Sequence, residues 1–355
     1  MLLRTSRLLG VNQLVLCSRW RAARLSVLCY HGISLHDEHQ CFPGLYVAPD
    51  QFESRIELLL SRNCTVLPLR EALARLRRGS LPPRSVSITF DDGFHDFYGF
   101  AWPVLRRFSL PATVYLTTYY SRHSEWPVFD LLLRYMLWKS RDLELVLPEV
   151  FRRPIVLDER GRTQANAAIQ AYCTEQNLSG AERHALLAGV SQQVGFNMAD
   201  AIRNRLLCLM SSAEVKSVAS EGADIQLHTH RHRVFARRER FWQEVDENRE
   251  EIQRLTGTTA SHFCYPGNYR LPEHAGWLRV HGIESAATCE AGLVSKKSDL
   301  FLLPRILDSS QMGDEEFDAW ICGVRDFFPK RIYPPNPSQL AQEPAPVPEA
   351  AAAGA

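Results

Sequence analysis

Hydrophobic and polar positions along this chain fall into short blocks with two different periods. Brief apolar or β-branched runs at 27–30, 65–67, 86–90 and 112–117 are separated by stretches with apolar residues at helical spacing, at 49–60, 70–76 and 99–108. Continuous apolar runs linked through helices predict parallel strands buried on both faces, because a parallel pair needs a crossover between its members. The alternation stops at Tyr120. From there to Ser212 helical periodicity dominates, as at 129–138 and 167–172, which predicts a helical insertion. Its aromatic and leucine stripe reads first as internal packing and second as a lid or acceptor-recognition surface. Ser211 then caps a new helix, and a strand at 224–227 resumes the series. A helix at 241–255, a strand at 263–265, a helix at 273–281, apolar segments at 285–288 and 301–306 and a last helix at 314–327 complete it.

The division that follows is a basic segment at 1–25, a first part of an α/β domain at 26–119, the insertion at 120–212, a second part at 213–330, and a Pro/Ala-rich tail at 331–355 without apolar period, expected to be disordered. With 355 residues, 45% of them hydrophobic, the chain can bury one large core or two modest ones. Lys and Arg number 41 against 40 Asp and Glu, so no global charge marks a nucleic-acid partner. Nine scattered cysteines without a Cys-x-x-Cys pair point to a reducing compartment. The first 25 residues are arginine-rich and free of acid, which reads as a frayed basic terminus or as a segment lying on an anionic membrane surface. No run reaches the roughly 18 apolar residues of a spanning helix. A cytoplasmic protein, with peripheral contact at the inner membrane face, is the expectation.

Three strings carry chemistry. The first, Ser-Ile-Thr-Phe-Asp-Asp-Gly at 87–93, ends an apolar strand on two adjacent carboxylates, Asp91 and Asp92. Their repulsion calls for a cation or a shared proton. The second, at 224–232, ends a strand on His228 and His232, which with a carboxylate form the mixed N/O set of an open catalytic metal site, suited to zinc. His230 lies between them and reads as standing behind the ligands or exposed, with a three-histidine site, Asp92 then outside it, as the alternative that strand geometry leaves open. Asp91 is left free as a base. The third, Ser-His-Phe-Cys-Tyr-Pro-Gly-Asn at 261–268, enters a turn where the Gly267 N–H either faces an oxyanion or simply ends a strand. A basic run, Arg231, Arg233, Arg237 and Arg238, is a solvated face or an attractor for phosphate.

Together these strings resemble the polysaccharide deacetylase (NodB-homology, chitooligosaccharide deacetylase) family, over about 26–328 without the insertion. The family's Thr-Phe-Asp-Asp-Gly stands at 89–93 and its His-Ser/Thr-x-x-His at 228–232, while 27–32, 110–115 and 303–306 look like its surrounding strands. The resemblance implies a distorted (β/α)7-type barrel, a divalent metal (zinc expected) on Asp92, His228 and His232, Asp91 as catalytic base, and hydrolysis of N-acetyl groups on amino sugars. Two departures stand out. Cys264 occupies the place of the family's orienting arginine, for which Arg305 is the substitute candidate, with an ordinary strand-end arginine as the plain alternative. No histidine follows His281, so the family's late Leu-x-His is missing. His31 is the candidate acid, because a circularly permuted branch of the family places that strand before the double aspartate. The partner expected is an N-acetylated sugar or glycolipid. The alternatives are a deformylase or other deacylase of a lipid-linked amino sugar, or a non-catalytic carbohydrate-binding relative.

Overall fold

The structure is a computed structural model describing residues 9–330 together with Leu3, Thr5 and Ser6; the tail at 331–355 lies outside the described residues. Seven strands form the centre: β1 (Arg24–Tyr30), β2 (Ser85–Phe90), β3 (Thr113–Leu116), β4 (Asp224–Leu227), β5 (His262–Cys264), β6 (Ser285–Ala291) and β7 (Leu303–Leu307). Each pairs in parallel with the next from β2 through β7, β7 pairs with β1, and β1 pairs with β2, so the sheet closes. Cys29 stands in register with Thr89 on one side and Leu307 on the other. The result is a (β/α)7 barrel with an irregular β6–β7 seam, where the register shifts between Ala287 and Ala291.

The two-residue period of the strands divides the core in two. Leu28, Tyr30, Ile88, Phe90, Val114 and Phe263 face the surrounding helices. Leu25, Val27, Tyr115, Cys264, Ala287 and Leu303 form the barrel interior, against which the helix Leu69–Arg78 packs Leu69, Ala72, Leu73 and Leu76. That interior is filled at one end, which leaves chemistry to the carboxyl ends of the strands, where parallel barrels carry their sites.

Between β3 and β4 the chain forms the helices Phe129–Lys139, Glu159–Glu175, Gly180–Gln193 and Met198–Arg203, plus an antiparallel pair, Glu144–Leu145 with Ile155–Val156, that helical periodicity did not predict. These elements share an apolar cluster of their own, including Leu133, Met136, Ile169 and Leu187, joined by Phe42 and Tyr46 from the segment after β1.

Two sequence expectations need correcting. The basic N-terminal segment, read as frayed, is folded over its described part: Arg21 is fully buried and donates to the Ile321 and Arg24 carbonyls and the Ser26 hydroxyl, while Asn12 donates to Asp318. Two carbonyls and a hydroxyl inside the fold satisfy that guanidinium. The last helix stops at Cys322 rather than 327, because Gly323 takes φ 92° and a Cβ there would meet Trp20 at 2.8 Å. Among the described residues no helix is long and apolar enough to cross a membrane, and all nine cysteines are free.

Candidate active site

Asp91 and Asp92 follow β2 directly, and a sharp backbone turn separates their side chains. Asp92 has φ 67° and Gly93 φ 86°; a Cβ on Gly93 would stand 2.4 Å from Leu116 Cδ1, so glycine is required there. The turn is held by Thr117 N donating to the Asp92 carbonyl and Met210 N to the Gly93 carbonyl. Two identical neighbouring residues thereby acquire different surroundings.

Asp91 is 2% exposed and points into the barrel. Arg305, fully buried on β7, grips it with both ends of its fork: Nη1 to Oδ1 at 2.7 Å and Nη2 to Oδ2 at 2.6 Å. Nε of Arg305 donates to the Thr288 carbonyl and Nη1 also to the Thr89 hydroxyl, which fixes the fork. Burial pushes the Asp91 pKa up, but the Arg305 charge and hydrogen bonds outweigh it and hold the carboxyl well below the usual range. Arg305 thus fixes the direction of the Asp91 carboxylate from 214 residues along the chain.

Asp92 meets the two imidazoles. Its Oδ1 lies 3.3 Å from His228 Nε2 and 3.1 Å from His232 Nε2, and the three candidate ligand atoms fall within 4.8 Å of one another. Burial works against ionisation of Asp92, yet the neighbouring imidazoles, His232 foremost, keep its carboxyl well below the ordinary range. His228 Nδ1 donates to the Cys264 carbonyl at 2.9 Å, which leaves Nε2 as the ligating nitrogen. Its backbone N–H donates to Asn248 Oδ1, and the Asn248 amide donates in turn to the Leu116 carbonyl and Thr118 hydroxyl. Asn248 therefore ties β4 to β3 beneath the histidine. A carboxylate and two imidazole nitrogens converging on one point, one tautomer already fixed, fit a divalent cation with open positions.

His230 does not join them. Thr229 takes φ 61°, which breaks the strand alternation, so His230 turns to Thr118 (Nδ1 to Oγ1, 2.8 Å) while its carbonyl accepts from Tyr119 N. His230 therefore stands behind the cluster, as read from the sequence, and the three-histidine alternative fails. Nor is Arg231 a free cation: it pairs with Glu244 and Glu247, at 2.7 and 2.6 Å.

His31, just after β1, places Nε2 3.7 Å from Asp91 Oδ2 because β1 pairs with β2. Gly267 lies in the turn after β5 with φ 55° and lines the same cavity as both aspartates. That cavity, about 1500 Å³, continues to the inserted helices, where Trp126, Phe129, Ala185 and Met198 form its far wall. Six of the seven residues singled out from the sequence thus line one cavity, and the seventh, Arg305, is buried beneath Asp91. Sequence reading missed Asn248 and three thiols around Arg305, those of Cys29, Cys264 and Cys289. Their inward phase on β1, β5 and β6 was the available signal.

The structure therefore combines a closed seven-stranded parallel barrel with a carboxylate and imidazole cluster at its mouth that could hold a metal ion. The polysaccharide deacetylase family model matches residues 178–284. The poly-beta-1,6-N-acetyl-D-glucosamine N-deacetylases of Staphylococcus aureus and Staphylococcus epidermidis are 40% and 38% identical over 72 residues, 20% of this chain, and the match spans only 25% of their length. The Streptococcus pyogenes deacetylase PplD, solved with acetate, shares the fold at TM-score 0.55 and 17% identity over 86% of this chain and 99% of its own. IcaB from Ammonifex degensii does so at 0.53 and 18%, over 84% and 97%. Over residues 178–284 the chain is thus similar in sequence to the polysaccharide deacetylase family, and it shares the fold of these solved deacetylases.

Proposed function

We propose that this protein is a metal-dependent hydrolase that removes the N-acetyl group from an amino sugar in a polysaccharide, oligosaccharide or glycolipid precursor. The observation that carries the reading is one strand-end turn holding two ionised carboxylates in different surroundings, Asp91 clamped by Arg305 and Asp92 facing two imidazoles.

Amide hydrolysis requires water to lose a proton as it attacks, the carbonyl oxygen to be stabilised as it gains charge, and the leaving nitrogen to be protonated. Asp91, ionised and fixed in direction, takes the proton from water. The Gly267 N–H, on the cavity wall, donates to the developing oxyanion. His31 sits beside Asp91 and hands a proton to the leaving amine, a role that barrel closure gives to an early strand and that makes a late histidine unnecessary. Asp92, His228 and His232 would hold the ion, which when bound supplies Lewis acidity at the carbonyl and makes water more acidic. Arg305 reaches no reacting atom and acts as a positioning residue for Asp91.

The staphylococcal relatives' names make N-acetylated β-1,6-glucosamine oligomers the first acceptor to try. Acetate release from them by zinc-loaded protein, measured beside chitin oligomers, N-formyl sugars and lipid-linked N-acetyl sugars, is the expected outcome. Formate release alone would favour the deformylase reading. Sugar binding without release of either acid would support the non-catalytic one.

A further inference from the structure

Four barrel strands bring three thiols around one guanidinium. Cys29 lies in β1, Cys264 in β5 and Cys289 in β6, and Arg305 reaches between them from β7. Arg305 Nη2 lies 3.1 Å from Cys264 Sγ and 3.7 Å from Cys289 Sγ, while Cys29 and Cys264 stand 3.6 and 3.4 Å from Asp91 Oδ2. Of the three, Cys289 lines the cavity that leads to the metal-ligand cluster. None of these sulfurs has a part in the proposed hydrolysis.

We propose that Cys289 is a covalent modification site, the thiol at which a peroxide entering the substrate cavity reacts first and suppresses turnover. The groups facing its sulfur explain the selectivity. The Cys29 hydrogen bond lowers the Cys289 pKa, burial opposes this, Arg305 lowers it further, Asp91 raises it and His31 lowers it, leaving it at about 6. Cys29 and Cys264 are instead pushed well above the ordinary thiol range, first by burial. Burial likewise pushes Cys64 and Cys208 to about 11 and Cys41 and Cys322 to about 12. Of the three thiols Cys289 alone opens on the cavity, and the Arg305 guanidinium 3.7 Å from its sulfur favours the thiolate, which is the reactive form.

In the reaction with hydrogen peroxide the sulfur lone pair attacks one peroxide oxygen. The S–O bond forms as the O–O bond breaks, and hydroxide leaves, to be protonated by solvent. Cysteine becomes sulfenic acid and peroxide is reduced to water. The added oxygen lies beside Arg305 Nη2, where it competes with Asp91 for the same donor. Loss of activity rests on the deacetylase reading above; the modification itself does not.

The test treats full-length, zinc-loaded protein with hydrogen peroxide at pH 6.5, traps sulfenic acid with dimedone, and maps the adducts by mass spectrometry. Cys289 should carry at least tenfold more adduct than Cys29 or Cys264. Acetate release should fall in proportion and return with dithiothreitol when trapping is omitted. Cys289→Ser, normalised to its own untreated rate, should resist peroxide. Adducts confined to other cysteines, or equal inactivation of Cys289→Ser, would overturn the proposal. If that variant does not fold, the unaltered protein decides: iodoacetamide labelling of Cys289 half-maximal near pH 6 supports the site, and labelling that rises only above pH 8 contradicts it. Selective labelling of Cys289 in protein that releases no acetate upholds the site and counts instead against the deacetylase reading.

Discussion

Replacing Arg305 by methionine is expected to destabilise the fold by about 3–5 kcal/mol and to abolish turnover, and adding Asp91→Asn should recover most of the stability but none of the turnover. Arg305 is fully buried and Asp91 2% exposed, so removing the guanidinium leaves a largely desolvated carboxylate without its counter-charge. The Thr288 carbonyl and Thr89 hydroxyl would lose their donor as well. In the double variant the stranded charge is gone, and an amide can use the neighbouring hydroxyl and thiols. Urea unfolding of the two single variants, the double variant and the parent measures this directly. A double variant no more stable than Arg305→Met would mean that packing, not charge compensation, is what Arg305 contributes.

Asp91→Asn alone is expected to lower kcat by about 10²–10⁴ while zinc binding stays near one equivalent, because the amide keeps the shape of the carboxylate but cannot accept water's proton. Its stability should drop less than that of Arg305→Met, since the Asn oxygen can still accept one of the two Arg305 bonds. Isothermal titration with zinc and acetate release, run on the same preparation, separate the two effects. If turnover survives within tenfold, another group is the base; if zinc binding disappears, Asp91 is a ligand and the roles of the adjacent aspartates are reversed.

Much of the site was legible because its chemistry comes in short strings at strand ends. Asp91 and Asp92 follow an apolar run and a glycine turns the chain after them, and both facts are local. His228 and His232 were legible for the same reason. His230 was read as lying behind them, but the three-histidine alternative stayed open because it turns on one left-handed residue, Thr229, which periodicity treats as strand. Arg305 could be nominated but not assigned, since the only thing that brings it to Asp91 is closure of the barrel across β7, β1 and β2. His31 needed the same closure. The thiol cluster escaped notice because its members lie on three strands and show themselves only in their inward phase. The N-terminal segment was misread for a related reason: Arg21 carries the composition of a solvated tail, yet its fork finds the carbonyls of Arg24 and Ile321 inside the fold.

The most direct test of the central claim is a zinc titration of metal-stripped protein, followed by acetate release from an N-acetylated β-1,6-glucosamine oligomer, with His232→Ala alongside. The account predicts no release without metal, full release at one equivalent of zinc per chain, and at least a tenfold weaker zinc affinity in His232→Ala. Release that persists after complete metal removal, or zinc affinity unchanged by His232→Ala, would contradict it.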